Sequence, residues 1–152
     1  MSKRYFDDFE VGDRFESAGA TVTEAGVIDF ALRYDPQPFH MDVEAAKQSL
    51  FGGLIASGFQ TLALSFRLFL DQGIFAACNL GSPGLDEVRW LKPVYPGDTL
   101  HVVAEVVGKT PSSSRPDRGS VRMKYTTFNH KGEAVLTLVG THILLRRPKP
   151  AG

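Results

Sequence analysis

The chain has 152 residues, 43% of them hydrophobic and 22% charged, with Lys plus Arg equal to Asp plus Glu at 17 each, which is the profile of one globular domain rather than a disordered or fibrous chain. A formal net charge of zero speaks against a nucleic-acid binder, which carries a basic excess on one face. The lone cysteine, Cys78, excludes an internal disulfide; with an N-terminal stretch that turns acidic before any apolar run develops, and no segment near the ~18 apolar residues of a membrane span, it makes a cytoplasmic, non-membrane protein the expectation.

In chain order, Thr23 is placed to cap a helix whose apolar Val27, Phe30, Ala31 and Tyr34 recur at helical spacing. That helix delivers the chain to DPQPFH, residues 35–40. Pro36 and Pro38 fix their own φ and push Asp35 and Gln37 toward extended backbone, so a stiff loop that resists helix formation is expected. Asp42 is placed to cap a short helix over 43–47, and Phe51, Gly52 and Gly53 break regularity. A longer helix is predicted over 57–72, with Phe59, Leu62, Phe66, Leu68, Phe69 and Leu70 spread almost around its circumference, the mark of a buried helix.

The second half reads as strands over 85–91, 99–109, 120–128 and 133–146, with turns at 96–98 and 129–132 and a long exposed hairpin loop over 111–119. In the last strand both alternating faces are largely apolar. One can cover the helix, and the other needs a partner, so an oligomer is inferred. The expected architecture is α+β: an antiparallel sheet wrapped around a long central helix, one domain over 1–147 with a tail at 148–152.

Asp35 and His40 carry the chemistry in this reading. A carboxylate and an imidazole in one entropy-poor loop are what general acid/base work on a bound substrate needs. The other histidines carry less: His101 and His142 fall in strand patterns and His130 in a turn, with no Cys or carboxylate at metal-ligand spacing, so no metal is predicted. Cys78 has no neighbouring cation to activate it.

The segments FALRYDPQPFHMDVEAA, FGGLIASGF and VRWLKPVYPGDTL resemble the MaoC-like dehydratases, or (R)-specific enoyl-CoA hydratases, which have the hot-dog fold. The similarity runs from YFDDFEVGD to the final strand. The family pattern of Asp, any residue, Asn, Pro, an apolar residue and His is met by Asp35, Pro38, Phe39 and His40. Gln37 replaces the usual Asn, and Ser57 stands where a His commonly precedes the glycine, here Gly58. The resemblance implies a single hot dog that pairs as a homodimer or higher homo-oligomer, with the active site near the interface. It also implies reversible hydration of trans-2-enoyl-CoA to (R)-3-hydroxyacyl-CoA, with no cofactor beyond the CoA of the substrate itself.

Beside that resemblance, hydration needs a proton donor to C2 and a donor for the developing enolate oxygen. Gly58, in the first turn of the predicted long helix, offers an N–H with no intrahelical partner, at the positive end of the dipole, and its missing side chain would let a thioester carbonyl approach. Gly52 and Gly53 are a second candidate donor or a simple turn. Ser57 reads as a substrate contact or a helix cap, and Gln37 as a residue that orders the loop or faces solvent. CoA would be held by scattered surface Lys and Arg, for which Arg89, Lys92, Arg115 and Arg118 are candidates only as cations near predicted sheet edges. Two other functions stay open for such a fold: a hot-dog acyl-CoA thioesterase, and a non-catalytic acyl-CoA-binding protein.

Overall fold

A computed structural model describes residues 2–151; Met1 and Gly152, the last residue of the predicted tail, lie outside them. After a 3-10 turn at Phe6–Asp8 come β1 (Arg14–Glu16), β2 (Ala20–Thr21), α1 (Glu24–Tyr34), α2 (Pro38–Met41), α3 (Val43–Lys47) and α4 (Gly58–Leu70). The chain ends in four long strands, β3 (Asn79–Trp90), β4 (Thr99–Pro111), β5 (Arg118–Phe128) and β6 (Ala134–Leu145). The sheet is antiparallel, in the order β1-β4-β5-β6-β3, with β2 pairing β4 off that path. Helices and strands segregate as the α+β expectation requires.

The predicted caps form. Thr23 Oγ1 accepts from the Gly26 N–H at 3.0 Å, Asp42 Oδ1 from Ala45 N–H at 3.0 Å, and Ser57 Oγ from Phe59 N–H at 3.2 Å. Each hydroxyl or carboxylate satisfies a donor the helix cannot. In β6 the face carrying Leu136, Leu138, His142 and Leu144 is buried, and the opposite face is half-exposed apart from Val135. The long helix α4 rests on that inner layer: Ser65 and Thr127 share a hydrogen bond of 2.6 Å, and Phe69 sets its edge against Tyr125, centroids 5.2 Å apart.

Four expectations change. The helix α4 is not covered all round, for its buried residues are Thr61, Ser65, Leu68 and Phe69, while Phe59, Phe66 and Leu70 face outward. Small hydroxyl side chains let α4 settle closely on the sheet, and the bulky apolar ones are left on the free side. The DPQPFH segment is not a pure loop either. Gln37 is extended, as a residue before proline should be, and Asp35 leaves the helical region with φ −153° and ψ 70°, but Pro38 opens the one-turn helix α2. Proline at the first helical position loses no bond and has the right φ already. Next, β3 begins at Asn79 rather than 85, through Gly81, Pro83 and Gly84, with three register shifts against β6. It is an edge strand, exposed along nearly its whole length. Lastly, β1 and β2 form where no strand is expected. Among the described residues no helix is long and apolar enough to cross a membrane.

Candidate active site

Asp35 caps the C-terminus of α1 and His40 sits in α2, so the turn between them brings the two side chains face to face. His40 Nε2 lies 3.3 Å from Asp35 Oδ2, and the side chains are 6% and 15% exposed. The other ring nitrogen, Nδ1, is 2.8 Å from the carbonyl oxygen of Ile55. A carbonyl only accepts, so Nδ1 carries the hydrogen, and in the neutral ring the Nε2 lone pair faces the carboxylate. Two acceptors at that separation are reconciled by a proton between them: on the ring, or on a water that both groups hold.

Asp35 is tied on both oxygens. The Ser57 hydroxyl donates to Oδ2 at 2.6 Å and the Gln37 amide to Oδ1 at 2.6 Å. The Ser57 bond, foremost, holds the carboxyl below the usual carboxylate range; burial opposes it, and Gln37 and the charge of His40 assist. Ser57 is fully buried and both caps α4 and holds Asp35, which joins the two halves of the site through one side chain. Gln37, exposed overall, reaches Asp35 rather than solvent.

A cavity of about 390 Å³ opens beside the pair, lined by Asp35, His40, Phe51, Gly58, Trp90 and Lys92 among others. Gly58 is the first residue of α4, and no protein acceptor meets its N–H among the described residues. Its missing side chain has another reason than the expected one. A Cβ there would meet the Trp90 indole at 2.6 Å, so the space is already taken by a ring, not kept open for a carbonyl. Gly52 has a left-handed φ of 68° and gives its N–H to Ser49, as a turn glycine does. Of the cations, Lys92 alone lines this cavity, and it is paired with Glu133. Arg89 lies instead at a groove with Glu87 and Lys124, and Arg118 pairs with Asp117 near the β4–β5 turn.

The remaining candidates stay outside. Cys78 is buried and its thiol is pushed up to about 11 by that burial. His101 lies 3.4 Å from Glu16, and His130 accepts from the Thr99 N–H. Among the described residues no group of three His, Cys, Asp or Glu is arranged to hold a metal ion.

Residues 8–128, carrying this entire constellation, match the MaoC-like domain. The chain belongs to the MaoC-like dehydratase family. It is 35% identical over 125 residues to protein YdeM of Bacillus subtilis, covering 82% of this chain and 87% of that one. It is 30% identical over 158 aligned positions to mesaconyl-CoA hydratase of Cereibacter sphaeroides, of whose length it spans 44%. The structure of a MaoC-like dehydratase from Rhodospirillum rubrum superposes with a TM-score of 0.89 at 42% identity, over 96% of this chain and 99% of that one. The R-hydratase PhaJ1 of Pseudomonas aeruginosa gives 0.76 at 26% identity, over 97% and 92%. A double-hotdog protein of Mycobacterium tuberculosis matches at 0.78 and 20% identity, over 98% of this chain and 47% of that one. The fold of this MaoC-like domain is a hot dog.

Sequence reasoning did not single out Ile55, whose backbone carbonyl sets the His40 tautomer, nor Trp90. No side chain marks the first. Trp90 stood inside the motif VRWLKPV, but strand alternation made it one sheet residue among others.

Proposed function

We propose that this MaoC-like domain is a hydro-lyase that adds water reversibly to trans-2-enoyl-CoA, forming (R)-3-hydroxyacyl-CoA. The observation that carries the reading is the Asp35–His40 pair at one wall of the cavity, with the free Gly58 N–H at another. Ser57 and Gln37 make Asp35 a poor base and a fixed anion. His40 is then the base: its Nδ1–H is spent on Ile55, and Nε2 is the one lone pair aimed at the carboxylate side.

In the forward direction a water held by Asp35 and Nε2 gives its proton to Nε2 while its oxygen bonds to C3. The π electrons move to C2 and the thioester oxygen, which receives the Gly58 N–H hydrogen bond. Asp35 steadies the imidazolium, and the imidazolium returns its proton to C2, so one water is consumed and the ring ends neutral. One aimed backbone donor of the Gly58 kind is worth roughly 2.7 to 4 kcal/mol in other enzymes. Two relatives named as hydratases, mesaconyl-CoA hydratase and the R-hydratase PhaJ1, support the same class.

The reading includes a homodimer. The unpaired edge of β3 and the outward Phe66 and Leu70 of α4 are surfaces a second copy would cover. Light scattering of the pure protein tests it, a monomer being the contrary result. For the activity, crotonyl-CoA is supplied and loss of the enoyl absorbance is followed. Hydration is expected without release of free thiol. Thiol release from saturated acyl-CoA, with no loss of enoyl absorbance, would make it a thioesterase instead.

A further inference from the structure

The sole tryptophan of the chain, Trp90, ends β3 at the cavity, and its indole is held in place from several directions. Its Nε1–H donates to the carbonyl oxygen of Gly58 at 2.8 Å. Its ring fills the space where a side chain at Gly58 would project. The Phe59 ring stands edge-on to it, centroids 6.0 Å apart and planes at 67°. Even so, 48% of Trp90 remains exposed. The polar atom is satisfied, and Trp90 lines the cavity, so apolar surface of a ring with fixed neighbours is presented to it. A surface shaped in advance costs little further entropy when a ligand lies against it.

The neighbourhood narrows what that ligand can be. Phe39, Phe51 and Leu91 continue the apolar lining around the ring. Among the described residues Lys92 is the Lys or Arg on the wall, and it is paired with Glu133, so a second carboxylate on the ligand would compete with Glu133 for it. Trp90 touches the residue whose N–H is free, and an acyl group whose thioester oxygen docks there meets the indole within its first few carbons.

We propose that Trp90 is a specificity-determining residue: the fixed indole walls the acyl site so that it takes a short, uncharged acyl group and excludes longer chains. The assignment rests on the enoyl-thioester reading given above. The hydrogen bond to Gly58 also makes the wall and the first turn of α4 one rigid unit, so the limit on chain length does not depend on a flexible side chain.

The experiment compares kcat/KM for crotonyl-, trans-2-octenoyl- and trans-2-dodecenoyl-CoA. Wild type is expected to favour crotonyl-CoA, and Trp90→Ala to raise the octenoyl-to-crotonyl ratio by about tenfold or more, since even single methylenes in an apolar pocket are discriminated by that factor. Trp90→Phe, which retains a ring but not the N–H, is expected to keep the wild-type preference. A ratio in Trp90→Ala within about twofold of wild type overturns the proposal. So does a wild type that prefers the long chains. A measurement on the unaltered protein guards against a variant that fails to fold. Trp90 is the only indole, so butyryl-CoA should change the tryptophan emission saturably and free CoA should not. Calorimetric binding of butyryl-CoA with no change in emission sinks the Trp90 assignment alone. A wild-type chain that neither hydrates any of the three nor binds butyryl-CoA sinks the lyase reading, and the wall loses its substrate with it.

Discussion

Two histidines are almost equally hidden in this molecule, and they keep different company. His40 is 5% exposed and His142 is 2% exposed, and each has a polar partner close to Nε2. For His40 the partner is the Asp35 carboxylate, and a cavity lies beside both. For His142 it is the Tyr125 phenol at 2.6 Å, on the inner face of the sheet among Phe66, Phe75 and Gly140. Burial pushes His142 down to about 4 and the Tyr125 hydroxyl upward. One hydrogen bond joins the phenol to a ring whose burial favours the neutral form. In the proposed mechanism His40 serves as the base because a carboxylate faces it and a cavity lies beside both, whereas His142 has a phenol for its partner and packs as a strut.

The comparison would break first at His40. His40→Ala is expected to lower kcat on crotonyl-CoA by about 10² to 10⁴, the usual contribution of a positioned acid/base group, and Asp35→Ala by a similar factor. Undiminished turnover in either would remove the residue from the chemistry and leave the two histidines alike.

The next test concerns His142 and acid. Its folded-state value near 4 lies below the ordinary 6.5, so between those limits the unfolded chain binds a proton that the folded chain refuses. Stability therefore falls as pH drops from about 6.5 to 4, by on the order of 3 kcal/mol, and this component levels off below that window. In denaturant titrations across the window, His142→Gln, which keeps an acceptor but cannot titrate, should flatten that slope. An unchanged slope would show that His142 is free to charge in the folded state.

Tyr125→Phe comes third. It deprives His142 of its hydrogen-bond partner and is expected to cost about 1 to 3 kcal/mol of unfolding free energy. Hydration of crotonyl-CoA by the folded variant should be unaltered, and a lost rate would tie the inner pair to the site. The smallest effect is the sharpest probe of His40's partner. Ser57→Ala removes the foremost interaction holding the Asp35 carboxyl low, so the acid limb of the kcat/KM profile should move to higher pH. The rate at neutral pH should fall by less than about tenfold, and an unmoved limb would mean that the carboxylate is not what that limb reports.

Much of this was legible in the sequence because it rests on local rules. Caps at Thr23, Asp42 and Ser57 have side-chain chemistry that acts over three residues, and the alternation of β4, β5 and β6 needs only one partner strand on each side. The Asp35–His40 pair was legible for the same reason, both groups lying within one turn. What stayed hidden depends on distant chain. The strands β1 and β2 are too short for a period and exist because β4 offers them an edge. The outward face of α4 could not be told from its inner face by apolar residues alone, since the small Thr61 and Ser65 are buried while the larger Phe59 and Phe66 stay partly exposed. Gly58 was read for what a glycine lets in, whereas its neighbour across the fold, Trp90, explains the missing side chain. Ile55 contributes only a carbonyl, which any residue could have supplied.

The irregular edge of the sheet has a consequence for how this protein behaves when concentrated. Along β3, Pro83 offers no N–H, the ladder slips three times, and Glu87 takes a left-handed φ of 52°. A growing fibril needs a flat, uninterrupted template on which each added strand recreates the last. Such an edge behaves as a chain terminator: it can dock a neighbour over a few residues, but it cannot propagate.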